Sequence, residues 1–264
     1  MFSSYDGTQL YLNKEVSAKD TAICVVVHGL CEHQGRYDYL AKQFHEKGIG
    51  TYRFDHRGHG KSEGERTYYG NFNEILDDVN AVVDLALSEN PDKPVFLLGH
   101  SMGGYAVALY GAKYPEKKLR GLVTSGALTR DHGNLIGAVP KGLDPHMLLP
   151  NELGSGVCSV TEVVQWYGED PLNTKTFTTG LCYALLDGVN WFTANASRFA
   201  YPVLMLHGEK DGLVSMRDTL DFFGMVTSTD KQMKIYGNLF HEIFNEYCRD
   251  EVIADAASWI LKRI

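Results

Sequence analysis

Residues 95–104, Val-Phe-Leu-Leu-Gly-His-Ser-Met-Gly-Gly, decide the fold. Val95 to Leu98 is an apolar run of β-branched and aromatic type, the length of a buried strand rather than a helix. It stops at Gly99, and the residues after Gly104 read as helix. Between them, Gly99-His100-Ser101-Met102-Gly103 has the glycine–x–serine–x–glycine spacing of a nucleophile elbow. The spacing has a steric reason. Glycines two residues either side of Ser101 carry no Cβ, so strand and helix can pass close to a very tight turn. The serine is then expected in a strained backbone conformation, its Oγ lifted clear of the chain. The competing reading is a plain strand-to-helix turn without chemistry. The buried strand before and the helix after favour the elbow.

Working outward, the same alternation recurs. Apolar runs predict strands over Ile23–His28, Gly50–Asp55, Gly121–Ser125, Val203–His207 and Gln232–Tyr236. Helical spacing predicts helices over Arg36–Glu46, Phe72–Glu89, Met102–Lys113, Arg217–Phe223 and Glu251–Lys262. Asp6-Gly7 predicts an opening hairpin between Met1–Tyr5 and Leu10–Asn13. Strands alternating with helices imply an α/β protein with a mostly parallel central sheet flanked by helices. The rhythm lapses once, from 129 to 198, where only short helices near Thr161–Tyr167 and Thr178–Leu186 are expected. We therefore expect a core of residues 1–128 and 199–264, with 129–198 a helical cap inserted between two late strands. Such an insertion lies over the C-terminal strand ends, where open α/β sheets bind ligands. Leu148, Leu149, Val160, Trp166, Phe177 and Trp191 make it too apolar for a disordered loop.

Composition narrows the partners. A chain of 264 residues suits one large domain, and 44% hydrophobic residues can fill its core. A formal net charge of -8 disfavours nucleic acid and anionic lipid. Five cysteines, odd in number and without a Cys-x-x-Cys pair, read as free thiols in a reducing compartment. With no basic-then-apolar leader at Met1 and no apolar stretch of about 18 residues, a cytoplasmic protein without a membrane span is expected.

A serine hydroxyl needs a base within hydrogen-bond reach, and that base needs a carboxylate to set its tautomer. In this architecture the chain order is serine, acid, histidine. Past the Val203–His207 strand, Asp211 is the chosen acid and Glu209 the runner-up. His241, in the loop before the last helix, is the base. His207 precedes the acid and ends a buried strand, so it reads as a core histidine. The oxyanion of an acyl-transfer intermediate needs two donors. The amides of Met102, after the nucleophile, and Leu30, in the loop after an early strand, are the candidates. Other patterns fail. Gly60-Lys61-Ser62 lacks the upstream glycine of a phosphate loop, and His241-Glu242 lacks the second histidine of a zinc helix. Asp55, His56 and His59 read as a hydrogen-bonded loop before a metal site. No metal or organic cofactor is expected.

Five blocks in order give a resemblance. They are His28-Gly29-Leu30-Cys31-Glu32-His33-Gln34-Gly35-Arg36-Tyr37, Asp55 to Gly64, the elbow at Gly99–Gly104, His207 to Val214, and His241 to Glu246. Across almost the whole chain the sequence resembles the monoacylglycerol lipase and lysophospholipase-like branch of the α/β-hydrolases. The resemblance implies an apolar tunnel under the cap leading to Ser101, a single-chain ester with a small alcohol head, and hydrolysis through an acyl-enzyme. Residues 131–160 depart from the family pattern, so the ester itself is left open. Aryl or hydroxycinnamoyl esters, lysophospholipids, thioesters and acyl transfer remain alternatives on the same three residues. A hydrolase-fold binding protein with weak turnover is a rival of another class. The cap's apolar residues also suggest peripheral membrane contact. Nothing in the sequence sets the oligomeric state.

Overall fold

A computed structural model describes residues 1–152 and 154–264. Strands β1 (Phe2–Ser3) and β2 (Gln9–Leu10) form the expected hairpin about Asp6-Gly7. The chain then lays down β3 (Leu12–Glu15), β4 (Ala22–Val27), α1 (Asp38–Glu46), β5 (Ile49–Phe54), α2 (Phe72–Glu89), β6 (Val95–His100), α3 (Met102–Lys113) and β7 (Leu119–Ser125). Residues between β7 and the next sheet strand form β8 (Leu148–Pro150), α4 (Gly154–Val157), α5 (Thr161–Glu169), β9 (Thr176–Thr178) and α6 (Thr179–Asn195). The chain closes with β10 (Val203–Gly208), α7 (Met216–Met225), β11 (Lys231–Tyr236) and α8 (Arg249–Leu261).

Seven strands make the main sheet in the order β11-β10-β7-β6-β4-β5-β3. All neighbours pair in parallel except β3, which runs antiparallel to β5 at the edge. Every residue of β4, β5 and β6 is buried, as a sheet covered on both faces requires. One face packs α2, α3 and α6 through Ile75, Val82, Leu109 and Leu185; the other packs α1 and α8 through Leu40, Phe44, Val252 and Trp259. Each fully buried Val or Leu is worth about 1.5–3 kcal/mol. The stability therefore sits in the sheet centre, and the loops at the C-terminal strand ends are left to carry chemistry.

Several elements differ from the sequence reading, among them the antiparallel β8–β9 pair, which stands where only short helices are expected. Leu10–Asn13 does not form one hairpin arm: Gln9–Leu10 pair with β1, while β3 turns away to pair with β5. The strand β6 runs two residues past its apolar run, because Gly99 and His100 pair with Thr124 and Ser125 of β7. Ladder pairing is invisible to hydropathy. Helix α6 continues to Asn195, well beyond Leu186. Gly188 lies inside this helix for space, since a Cβ on it would lie 1.7 Å from the Tyr105 hydroxyl oxygen of α3.

The segment after β7 leaves the core on a single carboxylate. Buried Asp218 of α7 accepts the amides of Thr129, Arg130, Asp131 and His132 at 2.8–3.1 Å. A hydrogen bond to a charged group is worth roughly 1.5–3 kcal/mol, and truncation leaves every partner unmet. Asp218→Ala is expected to cost about 3 kcal/mol or more. A urea titration reads this directly, and an unchanged midpoint would refute the anchor.

Candidate active site

Ser101 is held at φ 56° and ψ −117°, a region that L side chains rarely occupy. Its amide donates to Ser125 O at 2.8 Å and its carbonyl accepts Tyr105 N at 2.8 Å, so the turn is clamped by the sheet on one side and α3 on the other. The two glycines do what their spacing requires. A Cβ on Gly103 would sit 2.1 Å from Val27 O, and one on Gly99 would sit 2.2 Å from Gly103 O. Both obstacles are backbone and cannot swing away. Gly103→Ala is therefore expected to abolish soluble folded protein or to displace the elbow with loss of activity. A folded, fully active variant would contradict the packing.

Met102 opens α3, so its amide is one of the N–H groups that a helix's own backbone leaves without a partner. The positive end of the helix dipole adds to it.

Asp211 and His241 meet across 30 residues of chain, with His241 Nδ1 2.7 Å from Asp211 Oδ2. Asp211 Oδ1 accepts Leu213 N and Val214 N, both at 2.9 Å, which fixes the carboxylate plane. Burial pushes the Asp211 carboxyl up, but His241 and His207 outweigh it and hold it well below the ordinary carboxylate range. Burial disfavours a charged His241, yet the Asp211 carboxylate, aided by Glu242 and Glu32, outweighs burial and raises the imidazole above its usual value. With a proton on Nδ1 facing the carboxylate, neutral His241 keeps Nε2 bare.

Glu209 is exposed and accepts Asn238 N at 3.1 Å, away from His241's partner. His207 is a buried histidine whose ring nitrogens face Thr219 Oγ1 at 2.8 Å and Val214 O at 3.0 Å, with Nε2 also 3.2 Å from Asp211 Oδ2. Asp55 accepts Gln34 N and Lys61 N at 2.8 Å, in keeping with a hydrogen-bonded loop.

Gly29, Leu30, Ser101 and His241 line one cavity together with the apolar side chains of Leu135, Val157 and Leu213. Its volume is about 30 Å³, the share of one water molecule in the liquid. Ligand pockets run to roughly 300–1,000 Å³. A cavity of this volume is too small to hold an acyl chain.

One cluster at the site had no role in the sequence reading. Arg36 donates to Glu32 at 2.8 Å and makes a two-pronged pair with Glu242 at 2.6 and 2.7 Å. Its guanidinium carbon lies 5.2 and 4.8 Å from the ring centres of Trp166 and Tyr167 of α5. The Glu32–Arg36 spacing of four residues was the available signal. Nothing in the sequence joins Arg36 to a carboxylate 206 residues away.

The family described as serine aminopeptidase, S33, matches residues 18–247. The chain belongs to that family. Within the S33 hydrolases its relatives include the monoacylglycerol lipase of Mycolicibacterium smegmatis, 33% identical over 92% of this chain and 89% of that one. The monoglyceride lipase of Mus musculus is 32% identical over 98% of this chain and 89% of that one. The crystal structure of Paleococcus ferrophilus monoacylglycerol lipase superimposes with a TM-score of 0.86 at 27% identity, over 97% of this chain and all of that one. The fold is thus that of the α/β-hydrolase lipases, and this S33 chain is a serine hydrolase similar to monoacylglycerol lipases, as the five blocks imply. No helix among the described residues is long and apolar enough to cross a membrane.

Proposed function

We propose that this S33 hydrolase cleaves monoacylglycerol-like esters through an acyl-enzyme, with Ser101, His241 and Asp211 as its catalytic groups. The observation that carries the reading is the shared cavity of Ser101, Leu30 and His241, backed by the buried His241–Asp211 hydrogen bond. The Ser101 Oγ attacks the ester carbonyl carbon while His241 Nε2 takes its proton. Asp211 holds the tautomer and offsets the imidazolium charge. The amides of Leu30 and Met102 receive the oxyanion. On collapse, the alkoxide leaves with the proton from His241. Water, deprotonated by the same imidazole, then attacks the acyl carbon and frees the acid and Ser101. No step calls for a metal or organic cofactor.

Residues 129–198 act as the cap. Leu135 and Val157 from this segment form the apolar wall over Ser101, which suits a fatty acyl or aryl group. Met147, Leu148 and Trp166 of the cap are 43%, 58% and 45% exposed and suit peripheral contact with a neutral bilayer. All five cysteines are free, which supports a reducing compartment such as the cytoplasm.

Only neutral His241 accepts the Ser101 proton, and its pKa is raised. Activity is therefore expected to fall as pH drops, with the midpoint of the acid limb above the ordinary imidazole value of about 6.5. A rate flat through the imidazole range would exclude His241 as base.

The direct test is a panel of monoacylglycerols, lysophospholipids, p-nitrophenyl and hydroxycinnamoyl esters, thioesters and aminoacyl p-nitroanilides, assayed with and without a competing alcohol. Monoacylglycerols are expected to give the highest kcat/KM, with free fatty acid as product. Preference for an aminoacyl amide, transfer to the alcohol in place of hydrolysis, or tight binding without turnover would each overturn the reading.

A further inference from the structure

A buried histidine cluster behind the cavity has no part in the chemistry above. His28, His56 and His59 are each at most 1% exposed, and the His28 and His56 ring centres lie 4.5 Å apart. The hydrogen bonds at His28 admit one assignment. Its Nε2 lies 2.9 Å from the backbone nitrogen of His56. A backbone N–H only donates, so Nε2 must be the bare, accepting nitrogen. The ring proton is then on Nδ1, 2.8 Å from Gly29 O, which only accepts. His56 completes the loop, its Nε2–H donating to His28 O at 3.1 Å.

Gly29 O and Leu30 N belong to the same planar peptide unit. In a trans peptide the carbonyl and the N–H point in opposite directions. Holding Gly29 O against the buried ring therefore turns Leu30 N–H the other way. On the near side, Glu32 Oε1 accepts Gly29 N. The loop runs tight against the nucleophile, since a Cβ on Gly29 would lie 3.1 Å from Ser101 Cβ. A flipped Gly29–Leu30 peptide would set a carbonyl oxygen where the oxyanion forms and would strand the His28 donor in the core.

We propose that His28 is the positioning residue of the oxyanion hole: as the Nδ1–H tautomer, set by the His56 backbone amide, it holds the Gly29–Leu30 peptide so that Leu30 N–H is preformed for the oxyanion. The proposal rests on the esterase reading above. Burial, together with the neighbouring His56 and His59, keeps His28 neutral by lowering its pKa well below the usual value, so the tautomer persists across the working pH range. Glu32 fixes the other peptide of Gly29, and Arg36 offsets its charge beside the developing oxyanion.

The experiment pairs His28→Ala with His28→Asn, whose side-chain amide can donate from near the Nδ1 position. Turnover of p-nitrophenyl butyrate and affinity for a trifluoromethyl ketone, which forms a tetrahedral oxyanion on the serine, are measured for each. His28→Ala is expected to lose about 10²-fold in kcat, on the scale of a lost oxyanion donor, with KM within about threefold. Ketone affinity should fall in parallel with kcat/KM, and His28→Asn should recover at least about tenfold of the loss. A folded His28→Ala with wild-type kcat, or a loss carried by KM alone, overturns the proposal. Should His28→Ala not fold, imidazole ¹⁵N spectra of the wild-type protein decide: a proton on Nδ1 and none on Nε2 supports it, and the reverse overturns it. Fluorophosphonate labelling of Ser101 separates the two levels. An unlabelled wild-type protein defeats the esterase reading, whereas a labelled wild-type protein with a fully active His28→Ala defeats only this one.

Discussion

Ser101→Ala is expected to lower ester turnover by about 10⁵–10⁶-fold and to abolish fluorophosphonate labelling, because removing the nucleophile disables the whole catalytic set. The variant should fold. Alanine suffers the same backbone strain at φ 56° that serine does, and the amide and carbonyl clamps to Ser125 and Tyr105 involve no side-chain atoms. Ser101→Gly sharpens the point. Glycine enters this region of φ and ψ freely, and relief of such strain is worth on the order of 1 kcal/mol or more. The glycine variant should therefore be as inactive as the alanine variant yet melt at a higher temperature. A less stable Ser101→Gly would mean that the turn holds no strain. Labelling that survives in either variant would assign the nucleophile elsewhere.

Asp211→Asn should cost about 10⁴-fold in kcat. The amide can still accept Leu213 N and Val214 N, so the loop geometry should survive. What goes is the carboxylate 2.7 Å from His241 Nδ1, and with it the preference for the tautomer that leaves Nε2 bare. The residual activity carries a second signature. The Asp211 charge is the largest influence raising His241 against burial. Without it the His241 pKa falls, so the acid limb of the variant should move to lower pH than in the wild type. A limb that stays in place, or moves up, would show that Asp211 does not set the titration of the base. Glu209→Gln should leave both rate and profile within about twofold, since exposed substitutions away from a site are typically worth less than 0.5 kcal/mol.

The central sheet was legible because its signals are local. The apolar runs that become β4, β6 and β10 are short, dense and bounded by glycine or charge. The bounds of α2 and α3 follow from their own spacing and stop residues. Error concentrated where a distant contact rules. The far end of α6 lies beyond a glycine that exists to admit Tyr105, and β3 departs for a strand whose partner register no short window contains.

At the site the division is the same. The pattern of residues alone determined the turn at Ser101, because only glycines two positions away allow backbone to approach backbone at about 2 Å from a would-be Cβ. It also placed Ser101, Asp211 and His241 each in a loop just past a strand whose own apolar run marks it. Packing decided the rest. It set Asp211 rather than Glu209 beside His241, aimed a bare His28 nitrogen at the His56 amide, and buried Arg36 between Glu32 and Glu242. Those outcomes depend on direction and burial, which arise only when segments far apart in the chain exclude water from one another, and no local stretch of residues encodes them.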